Sequence, residues 1–364
     1  MKRLFEPVSL PRGRALKNRF MLAPLTNCQS HADGTLSEAE QHWLTLRAQG
    51  GFGLVSTCAA HVQAIGQGFP GQLGIFGDQH VPGLTKLAQG IHAHDTLAIV
   101  QLHHAGIRAP QALIGSQPVG PSDDEKTSAR ALTHAEVEAV IEDFAQAAKR
   151  AEQAGFDGVE LHGAHGYLLC VFLSPTYNRR TDDYGGSLEN RSRILFKILD
   201  AVRARCRPDF IVGVRLSPER FGVELKEIRE VAQRLIDTGQ VDFLDLSLWD
   251  CFKEPEAPEL KGRSLFSYFS DLDRKGVPVG VAGKIHEPSD AVKVLEQGAD
   301  FAILGRVAIL HHNYPQRLAA DANFAPVHPP VTRNYLADEG LSEAFIKYMH
   351  NWAGFVTPDA DAAG

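Results

Sequence analysis

Eight short apolar runs, separated by stretches with helical periodicity, constrain the fold of this chain more than any other feature. The runs cover residues 20–25, 53–59, 97–102, 158–161, 210–216, 243–248, 277–281 and 301–304. Most of them are almost continuously hydrophobic, which is typical of parallel strands buried on both faces. Eight strands, each followed by a helix, fit a (β/α)8 TIM barrel of the α/β class better than a doubly wound sheet.

The intervening stretches supply the helices that such a barrel needs. We predict them at 37–49, 80–94, 134–154, 187–206, 224–238, about 263–275 and 286–297, with an eighth that begins near 306. The dinucleotide-binding pattern GxGxxG occurs once, as GQGFPG at 66–71. It begins several residues after a strand, contains a proline and opens no helix, so we reject a Rossmann-type interpretation.

The chain divides into a barrel over residues 1–325 and an extension over 326–364. We expect residues 1–19 to form a hairpin that closes the barrel floor. The stretch 103–133 is long for a strand–helix loop and is interpreted as an insertion that covers the active site, with a mobile surface excursion as the alternative. In the extension we expect a helix near 341–352, packed on the barrel or on a partner subunit, and a disordered tail from about 357.

Composition excludes several classes of protein. The net charge of -7 and the pI of about 6.1 argue against nucleic acid as a partner. We find neither a signal peptide nor a run of transmembrane length, so no membrane contact is expected. The five cysteines are scattered and form no CxxC pair, which predicts neither disulfides nor a metal or iron–sulfur site. A reducing cytoplasm is the simplest compartment.

Glycines and cations at the ends of the last two strands predict a phosphate site. Gly283 and Lys284 follow strand seven, and Gly305 and Arg306 follow strand eight. This fold commonly binds phosphate at that position, through glycine N–H groups and a helix N-terminus. Tight turns alone would also explain the glycines. The pattern favours a mononucleotide cofactor.

Arg215 ends strand five, and Gln101 lies near the end of strand three. A buried guanidinium without a partner is costly, so an inward Arg215 implies an anion. A reduced flavin would supply that anion, and the amide of Gln101 would suit a pyrimidine edge. By itself, Gln101 is weak support.

The most reactive pattern is HGAHGY at 162–167, directly after strand four. His162 and His165 are three residues apart and can converge on one oxygen, while Tyr167 can supply a proton. A metal site is a competing interpretation, although the segment has no HExxH motif. Another competing interpretation is that both histidines are structural residues of the core. The place of the pair at a strand end, together with the tyrosine, favours a functional site.

At this point the sequence resembles the Old Yellow Enzyme family of FMN-dependent oxidoreductases, over residues 3 to about 310. The resemblance is carried by LKNRF at 16–20 with APLT at 23–26, QLHHAG at 101–106, HGAHGY at 162–167, FLSP at 172–175, NRRTDDYGGSLENR at 178–191 and LGR at 304–306. It implies a single-domain enzyme without an iron–sulfur cluster that binds FMN noncovalently at the mouth of a TIM barrel.

The resemblance also implies roles for individual residues. The flavin would be held by residues on several strands: Ala23, Pro24, Leu25, Thr26, Ala59, Gln101, Arg215, Gly283, Lys284, Gly305 and Arg306. His162 and His165 would bind the carbonyl oxygen of an electron-poor alkene, with Asn27 nearby, and Tyr167 would donate the proton. NADH or NADPH would be the hydride donor, and a homo-oligomer is left open.

The absence of one expected residue, and reactions that would use the same site, keep alternatives open. Compact relatives often carry a tyrosine soon after strand one as a substrate lid, whereas segment 26–30 here has none. Nitro-compound or nitrate-ester reduction would use the same site. A dihydrouridine-synthase-like flavoprotein is a rival that the acidic balance disfavours, and a Schiff-base aldolase is disfavoured because strand six has no lysine. A non-enzymatic barrel is the most remote alternative.

Overall fold

Eight parallel strands close into a barrel in the computed structural model, which describes residues 1–358. The strands, labelled β1 to β8, are Phe20–Leu22, Leu54–His61, Leu97–His103, Gly158–Gly163, Ile211–Leu216, Phe243–Ser247, Val279–Ala282 and Phe301–Leu304. Each strand pairs in parallel with the next one along the chain, and β8 pairs with β1. The predicted TIM barrel is therefore confirmed.

Helices lie between the strands and continue after β8. In chain order, α1 to α13 are Glu38–Gln49, Val81–His92, Gln111–Ile114, His134–Gln153, Leu168–Leu173, Leu188–Arg205, Leu225–Asp237, Ser267–Ser270, Pro288–Glu296, Arg306–Leu310, Tyr314–Ala320, Arg333–Asp338 and Glu343–Met349. Short 3-10 helices are Lys2–Phe5, Ala64–Gly66, Asp78–His80, Gly106–Arg108 and Pro258–Leu260. Two-residue strands, Val119–Gly120 and Arg130–Ala131, pair inside the segment 103–133.

One predicted helix is mostly absent. Residues 263–275 were expected to be helical, but only Ser267–Ser270 is. Backbone bonds there close three-residue turns, from Ser267 to Ser264 and from Phe269 to Phe266. The Ser267 and Ser270 hydroxyls also donate to carbonyls three residues earlier. Such side-chain bonds compete with a continuous helix.

The outer helices bury one apolar stripe each against the barrel. In α7 the buried residues recur at three- and four-residue intervals: Leu225, Ile228, Val231, Ala232, Leu235 and Ile236. This spacing places them on one face of a helix with 3.6 residues per turn. The sequence between Thr133 and Glu136 forms a capping box at the start of α4, which fixes where the longest helix begins.

Large aromatic side chains fill the lower barrel, and glycines make room for them. A Cβ atom added to Gly213 would lie 2.0 Å from the ring of Phe243, and one added to Gly280 would lie 2.2 Å from the ring of Phe301. The two rings meet nearly edge to face, with centroids 6.1 Å apart. Below them, Val8 and Leu16 exchange two backbone hydrogen bonds and join the same apolar cluster. Side chains thus fill this end of the barrel, so the reactive groups lie at the other end.

The C-terminal extension folds back on the barrel through α12 and α13. Phe345 and Met349 of α13 are buried, and Phe345 packs edge to face on Trp43 of α1. Most of the disordered tail expected from about residue 357 lies outside the described residues. Across residues 1–358, no helix combines the length and apolar character needed to cross a membrane.

Candidate active site

The register of the central strands brings polar side chains together at the mouth of the barrel. Gln101 on β3 pairs with Glu160 on β4, His162 on β4 with Arg215 on β5, and Arg215 with Asp245 on β6. Side chains of a strand alternate between its two faces, so polar residues at alternate positions point inward together. Four strands therefore contribute to one polar layer.

Arg215 has an anionic partner within the protein. Its Nε atom lies 3.0 Å from Oδ2 of Asp245, which is fully buried. The anionic partner that an inward Arg215 implies is thus present within the protein, so the position of Arg215 does not by itself indicate a flavin. Burial raises the pKa of Asp245 to about 6, and the Arg215 charge opposes that rise. The ion pair fixes the guanidinium at the centre of the polar layer.

Gln101 is held by a second buried carboxyl group. Its amide Nε2 donates to Glu160 Oε1 at 2.7 Å. Burial, with Asp245 as the next largest cause, raises the pKa of Glu160 to about 8. The shift favours the protonated form of Glu160, which lowers the number of buried charges in this layer.

His162 and His165 direct two ring nitrogens towards the same space. His162 Nε2 and His165 Nδ1 are 3.3 Å apart. On the other side of each ring, the Ala164 N–H donates to His162 Nδ1 at 3.4 Å, and Ser247 Oγ lies 2.7 Å from His165 Nε2. Arg215 donates to that same hydroxyl at 3.3 Å, so Ser247 directs its own hydrogen to His165.

The outer contacts favour one pair of tautomers for binding an oxygen. The 3.3 Å contact between His162 Nε2 and His165 Nδ1 needs one of these nitrogens as acceptor. Because Nδ1 of His162 and Nε2 of His165 can accept hydrogen bonds on their outer sides, both facing nitrogens can carry hydrogen when an oxygen is bound between them. Burial lowers the pKa of both imidazoles well below the usual value, and neighbouring positive groups lower it further. Two neutral imidazoles in these tautomers would give two N–H donors to a single oxygen bound between them.

Tyr167 stands beside the pair. Its ring centroid is 5.1 Å from that of His162 and 4.4 Å from that of His103. The Arg108 guanidinium lies over the ring at 4.8 Å and also donates to the His165 carbonyl at 2.5 Å. Arg108 comes from the segment 103–133. Sequence reasoning missed its contact with the site, since nothing local marks it.

Backbone strain is concentrated around this mouth. Non-glycine residues with positive φ follow five different barrel strands: Cys28 (56°), His165 (61°), Arg220 (69°), Phe221 (53°), Trp249 (64°) and Lys284 (50°). This conformation costs free energy for residues with a side chain and tends to occur at functional sites. Phe221 packs edge to face on His165 at 6.2 Å, so at least one strained turn touches the pair.

The loop after β1 reaches the mouth in part. Pro24, Leu25 and Thr26 are partly exposed there, directly after the buried Ala23. Asn27 is different: it is fully buried, and its amide donates to Glu40 Oε1 of α1 at 2.9 Å. The structure therefore turns Asn27 away from the mouth, and we no longer assign it to substrate binding. Ala59, opposite Gln101, is the one partly exposed residue of β2.

The predicted phosphate residues lie together at the ends of β7 and β8. Gly283 has a φ of 156°, and a Cβ atom there would lie 2.8 Å from the Asp250 backbone nitrogen, so only glycine fits this close approach. Gly305 precedes α10, and Arg306 is exposed without an ion pair or side-chain hydrogen bond to residues 1–358. Lys284 is paired with Asp250 at 3.0 Å. A free guanidinium beside two glycines fits the phosphate of FMN.

Metal ligation by His162 and His165 finds no support. Within residues 1–358, one group has spacing that suits a metal ion, and it is His286, Glu287 and His328. These three are already joined by a 2.7 Å contact between His328 and Glu287 and by stacking of the two imidazoles at 4.1 Å. The histidines of the mouth do not belong to it.

The fold and the site define a class of protein. A TIM barrel with glycines and cations after β7 and β8, and a Gln–Arg layer next to a histidine pair, fits a flavin-dependent oxidoreductase. The particular family follows from comparison. The chain belongs to the NADH:flavin oxidoreductase / NADH oxidase family, whose model matches residues 3–324.

Known relatives agree with this assignment. The chain is 40% identical over 324 residues to the probable NADH-dependent flavin oxidoreductase YqiG of Bacillus subtilis, with 86% of this chain and 87% of that protein covered. It is 34% identical to the NADH:fumarate oxidoreductase of Klebsiella pneumoniae, of which it spans 36%. That protein is therefore much longer than the region they share.

Solved structures show the same architecture. The Old Yellow Enzyme homologue of Zymomonas mobilis superimposes with a TM-score of 0.80 at 27% identity, covering 95% of this chain and 99% of that one. Morphinone reductase in complex with tetrahydroNAD superimposes with a TM-score of 0.78 at 28% identity, and the match covers 94% of this chain and 96% of that one. The chain is thus an FMN-type NAD(P)H oxidoreductase of the Old Yellow Enzyme family, and the aldolase and tRNA-directed alternatives are set aside.

Proposed function

We propose that this oxidoreductase reduces the carbon–carbon double bond of α,β-unsaturated carbonyl compounds. The observation that carries the proposal is the convergence of His162 Nε2 and His165 Nδ1, 3.3 Å apart, with Tyr167 beside them. Two N–H donors on one side and a phenol on the other suit a substrate that gains negative charge on oxygen and a proton on carbon.

FMN, when bound, would supply the hydride for the β-carbon of the alkene, with NAD(P)H as the source of that hydride. As the hydride arrives, negative charge develops on the carbonyl oxygen. The paired imidazole N–H groups stabilise that charge, as donors of an oxyanion hole do. Because both rings are neutral, they polarise the carbonyl without protonating it, which leaves the proton transfer to another group.

Tyr167 is the proposed donor of the proton to the α-carbon. Its ring is held between His103 and the Arg108 guanidinium, so the phenol has a fixed position relative to His162. A general acid must reach the reacting atom in one defined geometry. After the transfer, solvent returns the proton to the phenol.

The first test is a two-step flavin experiment without oxygen. The purified protein should be yellow, NADH or NADPH should bleach the flavin absorbance, and 2-cyclohexenone should restore it with cyclohexanone as the product. Bleaching without recovery would retain the oxidoreductase and refute the proposed substrate class. If only nitro compounds or nitrate esters restore the flavin absorbance, the result would favour nitro-compound or nitrate-ester reduction at the same site.

Lys284→Met should weaken FMN retention by a few-fold, because a cation beside the phosphate would be lost while Arg306 remains. The effect is small, since Asp250 already neutralises Lys284 and exposed charge pairs contribute little. FMN fluorescence during titration of the flavin-free protein measures the change in dissociation constant. Lys275→Met is a matched control: Lys275 also has positive φ and an ion pair, with Asp237, but it precedes β7 at the other end of the barrel. Equal affinity in both variants would remove Lys284 from the phosphate site.

A further inference from the structure

His103, the last residue of β3, is held in one tautomer by Gln72 from the loop after β2. Gln72 Oε1 accepts a hydrogen bond from the Gly68 backbone N–H at 2.6 Å, and Gln72 Nε2 donates to the Ala59 carbonyl at 2.8 Å. These two backbone groups fix the orientation of the amide. The same Nε2 atom lies 3.0 Å from His103 Nδ1, which must therefore accept its second hydrogen. Burial lowers the pKa of His103 well below its usual value, so the ring is neutral and carries its one hydrogen on Nε2.

The Nε2–H group of His103 is a buried donor that has no acceptor among residues 1–358. A buried donor without a partner costs free energy, and native structures usually avoid it. The neighbouring His104 shows the ordinary case. Its Nδ1 accepts from the Gly106 N–H at 3.0 Å, and its Nε2 lies 3.0 Å from Gln63 Oε1. The unpaired donor of His103, at the mouth of the barrel, points to an acceptor that is created during the reaction.

Tyr167 packs directly against the His103 ring. The two rings meet nearly edge to face with centroids 4.4 Å apart, whereas the centroids of His103 and His162 are 5.5 Å apart. The Tyr167 hydroxyl also forms no hydrogen bond with residues 1–358. An unpaired donor and an unpaired hydroxyl thus belong to two rings in contact. In the proposed function, on which this inference rests, that hydroxyl loses its proton and becomes a strong acceptor.

We propose that His103 is a positioning residue for Tyr167 and stabilises its phenolate through Nε2–H as the proton leaves. The O–H bond of Tyr167 breaks while the C–H bond at the α-carbon of the alkene forms, and His103 keeps its own hydrogen throughout. A hydrogen bond to a charged group is stronger than one to a neutral group, so this contact favours the transition state over the resting phenol. Solvent then returns the proton to the phenol.

The test is a double-mutant cycle on the re-oxidation of the NAD(P)H-reduced enzyme by 2-cyclohexenone without oxygen. His103→Leu should slow this step by roughly tenfold, the effect of losing one hydrogen bond to a charged group. His103→Gln should restore most of the rate, because its amide can accept from Gln72 and still donate to Tyr167. In the Tyr167→Phe background, His103→Leu should add no further loss, since no phenolate forms there. An equal loss in both backgrounds, or no loss in either, would refute the proposal.

A titration without turnover distinguishes failure of this inference from failure of the proposed function. In FMN-loaded protein labelled with 3-fluorotyrosine, the fluorine NMR signal that is missing from Tyr167→Phe reports the ionisation of Tyr167. Its midpoint should lie about one pH unit higher in His103→Leu than in the wild type, which corresponds to the same tenfold effect. The other titratable or charged groups near the ring are unchanged in this variant: His162, His165 and Arg108 by ring contact, and Tyr348 of α13 by electrostatic interaction.

The two measurements together decide about His103. If the wild type reduces no enone, the proposed function fails, and the titration alone decides: a raised midpoint retains the contact with Tyr167, and an equal midpoint refutes it. If His103→Leu does not bind FMN, Gln72→Leu takes its place, because without the Gln72 amide His103 is free to carry its hydrogen on Nδ1. Gln72→Leu should then raise the midpoint and slow re-oxidation, and wild-type values of both would refute the proposal.

Discussion

The His162→Ala variant should reduce 2-cyclohexenone roughly 10²- to 10³-fold more slowly than the wild type, the loss expected for one donor of an oxyanion hole. The variant removes His162 Nε2, which lies 3.3 Å from His165 Nδ1 and would donate to the same substrate oxygen. The developing oxyanion then has one imidazole donor instead of two. Binding of a phenol over the flavin should weaken as well, because phenolate oxygen would use the same two donors.

Stopped-flow measurement separates this loss from other defects. The re-oxidation of the NAD(P)H-reduced enzyme by 2-cyclohexenone is followed at the flavin absorbance, without oxygen. His92→Ala is a suitable control, since His92 contacts Asp157 at 2.7 Å, just before β4 and away from the mouth. His92→Ala should re-oxidise at the wild-type rate. If His162→Ala does so too, His162 does not hold the substrate oxygen.

The barrel could be predicted because its determinants are local. Each apolar run carries its own strand signal, and eight alternations with helices leave few other folds. The failure at 263–275 is equally local in origin. Leu265, Phe266 and Phe269 have helical spacing, but the Ser267 and Ser270 hydroxyls bond to backbone carbonyls, and the helix ends after one turn.

Site residues that follow one strand could be predicted from the sequence. Contacts between residues on two different strands were harder to predict. His162 and His165 are close in sequence and end a strand, so their convergence could be expected. The partner of Arg215 could not, because it depends on the register between β5 and β6, which pairs Arg215 with Asp245. A usable signal was present: Asp245 is the one charged residue in the run 243–248, and Glu160 is the one in 158–161.

One further group of the site comes from a segment whose sequence gives no sign of it. Arg108 ends the 3-10 helix Gly106–Arg108, and its guanidinium lies 4.8 Å from the centre of the Tyr167 ring. The amphipathic pattern of residues 341–352 indicated packing but could not indicate that α13 packs on α1. For Asn27 the sequence suggested a role that the structure does not support. Its place next to Thr26 suggested substrate binding, but its amide donates a hydrogen bond to Glu40 instead.

The second large effect is expected from Tyr167→Phe, which removes only the phenolic hydroxyl. General acid catalysis contributes roughly 10²- to 10⁴-fold, so alkene reduction should slow by a factor in this range. Reduction of the flavin by NAD(P)H needs no proton from the phenol and should keep the wild-type rate. The ring itself remains packed on His103 and below Arg108, so the fold of the mouth is preserved.

The two half-reactions, measured separately, decide the role of Tyr167. A loss confined to re-oxidation by 2-cyclohexenone, with unchanged phenol binding, identifies a proton donor, because a positioning defect would also alter binding. Tyr184→Phe is the control: its hydroxyl bonds to Glu138 and Lys197, so its removal can lower stability without touching the site. If Tyr167→Phe re-oxidises as fast as the wild type, the proton reaches the α-carbon by another route. The N–H groups of His162 and His165 would point at the carbonyl oxygen and not at the α-carbon. The alternative source of the proton would then be solvent.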